Sequence, residues 1–275
     1  MTTWSFTDLE FAVLWERHSE YPFPVPFTYT SRTPLHDDYV AEKRQTWERM
    51  RGEVTAEVVG AMETVCSPDV FVSVRGWCDQ DMDDPEKRIR IFAARTGVRA
   101  YVVTQSPGET VWYSSGYTVS ECHPRGLAAD LVGRLPDVEA GKRKNTVVVP
   151  EVKNLNDAAW GVAVADDGQA TLAVRSKKFF AIEATTTGEI VIRQGRSKYG
   201  PRGIRQQVLQ WRDLPDDGRY VIGPDEPPVA IGTGKRRLIG LIDAGIELMV
   251  DRLETHWESE EFTVGSTQRG QEPAW

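Results

Sequence analysis

The chain has 275 residues, a formal net charge of −8 and a pI of about 5.2. An acidic balance opposes phosphate backbones, so the composition argues against a nucleic-acid partner, although it does not prevent a homodimer. No apolar run approaches the roughly 20 residues of a membrane-spanning helix, and Asp8 and Glu10 stand where a signal peptide would be apolar. We therefore expect a cytoplasmic protein without membrane insertion.

The first half of the chain predicts three helices, four strands and a fourth helix. Thr7 to Glu10 form a capping-box pattern that opens a helix after a short extended piece. Alternate prolines between Tyr21 and Phe27 exclude a helix there and predict an extended run. Charged and apolar patterns predict the other elements. These are helices at Asp37–Arg51, Glu53–Cys66 and Pro124–Leu135, with strands at Val70–Trp77, Ile89–Arg95, Val98–Thr104 and Thr110–Ser114.

The second half repeats this order of elements without repeating the sequence. Gln169 to Ala184 are compatible with a helix, and Thr233 to Leu253 have the strongest helical spacing in the chain. Strand-like segments lie at Thr146–Val149, Glu189–Gln194, Ile204–Trp211, Tyr220–Ile222 and Val229–Ile231. The order helix, four strands, helix thus occurs twice. It predicts one pseudo-symmetric α/β (α+β) domain over residues 1–255, with halves of about 1–140 and 145–255. The polar residues 256–275 are predicted to be a flexible tail.

Two motifs that suggest ligand sites fail at named positions. Asp79, Asp81 and Asp83 open like a calcium loop, but Asp84 and Arg90 replace the required Gly and Glu. We therefore favour a solvated acidic turn between two strands. Gly232 to Lys235 resemble part of a phosphate-binding loop, but the first Gly and the final Ser or Thr are missing. We favour the interpretation that these glycines form the turn between the last strand and the final helix.

Residue types that carry catalysis or bind metals are sparse. The four histidines have no metal-ligand spacing, and no GxSxG nucleophile motif occurs. The three cysteines, Cys66, Cys78 and Cys122, are an odd number without CxxC spacing, which suits reduced thiols. The sequence therefore predicts neither an enzyme nor a cofactor or metal site.

Several segments in this order resemble the EspG family of actinobacterial type VII (ESX) secretion chaperones. They are Phe6–Trp15, the proline-punctuated Tyr21–Phe27, Glu53–Gly76 with its Pro68 break and terminal Arg-Gly, and Asp213–Tyr220 with its Gly-Arg-Tyr. The resemblance spans about residues 4–254, and it departs from the family at Gln169–Ala184, where a helix of small residues is usual. It implies a central antiparallel sheet flanked by two helical bundles. It also implies a cytosolic chaperone that covers the apolar tip of the PPE partner in a helical PE–PPE pair.

Such a chaperone needs aromatic anchors and a polar rim on a broad surface. Alternation in Val70–Trp77 predicts that the valines pack on helices and that the opposite face meets the client. A basic loop and the strand after it supply the counterpart in the second half. The predicted partner-binding residues are Phe71, Arg75, Trp77, Arg196, Lys198, Tyr199, Arg202, Arg205, Gln207, Leu209 and Trp211. The alternative is that these aromatic residues cover a solvated sheet or fill a second core layer.

Other functions stay open at this point. One is a regulatory or scaffold module of the same fold without a secretion client, and another is an enzyme with a dispersed site. The chain is not predicted to be a secreted client, because none of its nine tryptophans is followed by x-Gly. Tyr117 to Glu121 do fit the spacing of the export signal, but they lie in mid-chain between a strand and a helix.

Overall fold

The computed structural model describes residues 1–149, 167–197 and 199–267. The described residues form one ten-stranded antiparallel sheet and six α-helices. The helices are α1 Asp8–His18, α2 His36–Met50, α3 Ala56–Cys66, α4 Leu127–Val132, α5 Asp167–Phe180 and α6 Lys235–Thr267. The strands are β1 Thr3–Phe6, β2 Val70–Trp77, β3 Ile89–Thr96, β4 Arg99–Pro107, β5 Ser114–Cys122, β6 Thr146–Val147, β7 Thr186–Gln194, β8 Gln206–Leu214, β9 Gly218–Ile222 and β10 Val229–Gly232.

The sheet joins both halves of the chain through two central strands. Its order is β1-β5-β4-β3-β2-β7-β8-β9-β10-β6, so β2 and β7 pair where the halves meet. Their register places Val72 opposite Ile192 and Arg75 opposite Glu189. This confirms the predicted antiparallel sheet with helices packed on it. A two-fold relation between the halves, and their grouping as one domain, stay predictions.

One face of the central strands carries the main core, which α4 and α6 cover. Val70, Val72 and Val74 are fully buried there, as their alternation in β2 predicted. The stripe of α6 packs on the same face through Leu238, Ile242, Ile246, Met249 and Leu253. We call this the helix-covered face. The opposite face carries two smaller cores, one in each half of the sheet.

Within the described part of the chain, elements cover the opposite face only towards its two ends. In the first half, α1 and α3 pack on β3, β4 and β5, and stacked Phe11 and Tyr117 rings lie 4.2 Å apart. The capping box at Thr7 and Glu10 opens α1 as predicted, because both reciprocal hydrogen bonds form. In the second half, Phe179 of α5 packs on Tyr220 of β9. The middle of this face, over β2, β7 and β8, lies between the two cores.

Asp213–Tyr220, one of the segments that carried the family resemblance, folds into the turn between β8 and β9. The Arg219 guanidinium donates two hydrogen bonds to the Asp213 carboxylate, at 2.7 and 2.8 Å, and both side chains are fully buried. Gly218 has φ +145°, and a Cβ there would lie 2.6 Å from the carbonyl oxygen of Glu139. The segment therefore has a structural role, because it fixes the turn that joins β8 to β9.

One predicted strand was wrong, and the last helix is longer than predicted. Thr110–Ser114 is not a strand: the Tyr113 amide donates to the Thr110 carbonyl in a turn, and β5 begins only at Ser114. Gly116 interrupts the alternation of side chains by which β5 would have been recognised. A glycine is required at this position because the carbonyl oxygen of Phe6 approaches it closely. At the other end, α6 continues through residues 256–267, which had been assigned to the tail. No helix among the described residues is long and apolar enough to cross a membrane.

Candidate functional site

A groove runs along the uncovered middle of the opposite face. It consists of two depressions, of about 510 and 290 Å³, which both include Glu189 in their lining. We call it the central groove. It is lined by Pro24, Val25, Phe71, Ser73, Arg75, Trp77, Asp79, Phe180, Thr187, Gly188, Glu189, Val191, Arg193, Gln206, Val208, Gln210, Trp211, Arg212 and Ile222.

The proline-punctuated segment forms the wall of the groove on the side of the first half. The Ser73 hydroxyl donates to the Val25 carbonyl oxygen at 2.7 Å, which ties this segment to β2. The Val25 side chain is 63% exposed, so it adds an apolar rim instead of filling the core. The alternating prolines thus place an apolar edge beside the open strands.

The end of α5 forms the opposite wall. Buried Arg212 donates to the carbonyl oxygens of Phe179 at 3.0 Å and Ile182 at 2.6 Å, and to the Asp79 carboxylate at 2.8 Å. Its guanidinium carbon lies 5.4 Å from the Phe180 ring, which is 43% exposed. One arginine therefore fixes an exposed aromatic ring at the edge of the groove.

Two carboxylates of the groove belong to ion pairs. Arg75 contacts Glu189 across the central strand pair at 3.2 Å, with half of the arginine side chain exposed. Partial burial alone would raise the pKa of Asp79, but hydrogen bonds from the Ala184 amide and Arg212 outweigh it and lower that pKa. Asp79, just after β2, is thus ion-paired with Arg212 of β8, where the sequence favoured a solvated turn.

Three predicted partner-binding residues of β2 line the central groove. Phe71 is half-buried and stacks on Phe92 with ring centroids 5.1 Å apart, so it serves both the core and the groove floor. Arg75 is exposed, and Trp77 is half-buried beside Gly188 and Thr187. Alternation along β2 therefore placed these side chains on the correct face of the sheet.

Three predicted residues of β8 lie on the helix-covered face, opposite the central groove. Gln207, Leu209 and Trp211 point towards α6, and both Leu209 and Trp211 are fully buried. A Cβ on Gly188 would lie 2.1 Å from the Trp211 ring, and one on Gly76 would lie 3.0 Å away. The two glycines leave the space that this ring fills. Trp211 is therefore a core residue, although its backbone borders the groove.

The predicted basic loop lies outside the groove lining. Arg196 pairs with Asp69 at 2.6 Å, and Tyr199, Arg202 and Arg205 are exposed. Lys198 lies outside the described residues. The structure therefore does not bring this loop together with Phe71, Arg75 and Trp77.

The sequence patterns did not reveal that β7 and the other side of β8 contribute to the lining of the groove. Glu189, Val191 and Arg193 alternate with the buried Ile190 and Ile192 and face the groove. On β8 the groove residues are Gln206, Val208 and Gln210. The signal was present in β7, since two buried isoleucines alternate with one glutamate and one arginine. The missing information was the pairing of β7 with β2.

Comparisons with known proteins agree with this architecture. The model of the EspG family matches residues 7–233 of the chain. A solved structure, the Mycobacterium tuberculosis type VII secretion system chaperone EspG5 in complex with a PE25–PPE41 dimer, has a similar fold. The two sequences are 15% identical, the match covers 91% of this chain and 96% of that chain, and the TM-score is 0.52. No curated protein matches the chain. The family match covers most of the sequence, and the chain belongs to the EspG family.

Proposed function

We propose that the protein is a cytosolic, non-enzymatic chaperone of type VII secretion, and that its central groove holds the apolar tip of the PPE subunit in a helical PE–PPE pair. The open groove in a member of the EspG family carries this proposal. The solved structure of EspG5, a chaperone in complex with a PE25–PPE41 dimer, supports the client class.

The floor of the groove has the composition of a binding surface. Val191 and Val208 are half-buried on strands whose other face is fully packed, so their exposed area is free to meet a partner. Trp77 and Phe180 supply aromatic area, and aromatic residues dominate the energetics of many interfaces. The Arg75–Glu189 pair and the glutamines at 206 and 210 supply polar groups around this apolar floor.

An apolar helical tip left in water would associate with other apolar surfaces. Covering that tip keeps the client soluble and requires no bond to be made or broken. The groove lies on strands that are fixed by the core on their other face, so binding needs little ordering of the chaperone itself.

The test is co-expression of the chain with each PE–PPE pair encoded in its own genome, followed by size-exclusion chromatography. We expect one or more pairs to form a stable complex. Val191→Asp places a charge on the groove floor and is expected to weaken that complex by about 2 kcal/mol or more. The matched control is Val98→Asp, because Val98 is 89% exposed in the turn between β3 and β4.

The outcomes separate the alternatives. If no pair forms a complex, the chaperone proposal is wrong and the scaffold alternative gains support. If a complex forms but Val191→Asp binds as well as Val98→Asp, the protein is a chaperone whose client site lies elsewhere.

A further inference from the structure

Arg193 is a cation on the floor of the central groove without a carboxylate partner. It lies on β7, with Phe71 of β2 and Gln206 of β8 as its neighbours across the sheet. Its side chain is half-buried, and no ion pair of the described residues includes it. A partly desolvated guanidinium favours a carboxylate that it can bind through two hydrogen bonds.

Two carboxylates on or beside the same strands, Glu189 and Asp69, are already paired with other arginines. Glu189 faces the groove on the same strand, but four residues of extended chain separate it from Arg193, a distance of about 13 Å. It contacts Arg75 instead. Asp69 pairs with Arg196 and also accepts a hydrogen bond from the Gly97 amide. Among residues 1–149, 167–197 and 199–267, no carboxylate therefore compensates the charge of Arg193.

Positive charge accumulates around the same strands. The register of β2 and β3 places Arg75 opposite Arg90, and like charges in that position repel. Arg90 donates to the carbonyl oxygen of Val111, not to a carboxylate. Burial and the charge of Arg88 lower the pKa of Arg90. The lining of the groove itself holds three arginines, Arg75, Arg193 and Arg212, against two carboxylates, Asp79 and Glu189, in a chain of net charge −8.

We propose that Arg193 binds a carboxylate that the client carries beside its apolar tip, so that the groove selects clients with Asp or Glu at that position. This inference rests on the proposed chaperone function and names the specificity of the same groove. The floor residues Val191 and Val208 contact the apolar tip, and Arg193 reads the charge next to it. A neutral residue at that place in the client leaves the guanidinium desolvated and unpaired, which disfavours the wrong partner.

The experiment uses the full chain and a PE–PPE pair that forms a complex with it. The affinity of Arg193→Glu and Arg193→Met is measured by titration calorimetry, and their melting temperatures are compared with the parent chain. Methionine retains an apolar stem that covers Phe71 but removes the charge. The matched control is Arg134→Glu, which changes the net charge equally at an exposed position after α4, on the helix-covered side.

We expect Arg193→Glu to weaken binding about tenfold to a hundredfold, Arg193→Met by less, and Arg134→Glu by less than about twofold. Raising the salt concentration is expected to weaken the parent complex more than the Arg193→Met complex. Acidic residues beside the client's tip are then changed to lysine one at a time. One of these changes is expected to restore binding to Arg193→Glu.

Three results would overturn the inference in different ways. If Arg193→Glu and Arg193→Met bind within about twofold of the parent while Val191→Asp loses binding, the chaperone function stands and Arg193 only covers Phe71 with its stem. If every client pair fails to bind the parent chain, the proposed function and this inference both fail. If Arg193→Glu loses binding and no lysine substitution in the client restores it, the proposed pairing of Arg193 with a client carboxylate is also contradicted.

Discussion

The two faces of the central strands use tryptophan in opposite ways. On the helix-covered face, Trp211 lies against Gly76 and Gly188, which leave room for its ring under α6. On the other face, Trp77 lines an open groove beside Thr187. Both tryptophans lie near the same end of their strands, which are separated in the sheet by β7 alone. The comparison shows that cover by a helix, not residue type, decides whether a tryptophan stabilises the fold or is available to a partner.

The largest effect should come from removing the buried ring. Trp211→Ala is expected to lower the free energy of unfolding by about 3–5 kcal/mol, because it leaves a cavity between the sheet and α6. Urea denaturation followed by circular dichroism measures this. Trp112→Ala is the control, since Trp112 is 67% exposed, and it should change stability by about 0.5 kcal/mol or less. Similar stability losses in both variants would mean that Trp211 does not stabilise the core more than an exposed tryptophan does.

A smaller effect, of a different kind, is expected on the groove side. Trp77→Ala should weaken binding of a PE–PPE client by about 2 kcal/mol or more, because it removes aromatic area from the site. Its loss of stability should be well below that of Trp211→Ala, since Trp77 is only half-buried. Calorimetric titration with the client and thermal unfolding of the free chain provide the two measurements. A variant that binds normally but unfolds like Trp211→Ala would assign Trp77 to the core.

The smallest effect concerns the wall of the groove and depends on pH. The pKa of Asp79 in the folded protein lies below its ordinary value of 3.8, because hydrogen bonds from Ala184 and Arg212 outweigh partial burial. A lowered folded-state pKa contributes stability above that ordinary value, and the contribution disappears as the pH falls through the folded-state pKa. Asp79→Asn should therefore be less stable than the parent near neutral pH, and the gap should narrow in acid.

Denaturant unfolding of both chains at pH 7 and at several values below 4 measures that gap. Asp83→Asn serves as the control, since Asp83 is exposed. A gap that stays constant down to the lowest pH would show that the carboxylate of Asp79 contributes through shape and not through its charge.

Much of the fold could be predicted because local patterns and burial agreed. The capping box at Thr7 sets the start of α1. The valine alternation of β2 and the leucine–isoleucine stripe of α6 each place apolar residues on one side of their element. Gly116 interrupted β5, so the same reasoning moved that strand into the preceding turn. Apolar patterns that repeat every two or 3.6 residues are local. They fail where the backbone of a residue distant in sequence, here Phe6, determines which residue type fits a position.

The sequence alone identified only a part of the lining of the central groove. It placed Phe71, Arg75 and Trp77 on one face because β2 alternates with three buried valines. It assigned Leu209 and Trp211 to the client surface, because nothing in β8 shows which of its faces α6 covers. Tertiary structure decided this through the pairing of β7 with β2 and β8, which aligns Gly188 with Trp211 and leaves Val191 and Arg193 in the groove. The face that a strand buries is a property of the whole sheet, since packing between distant elements chooses it.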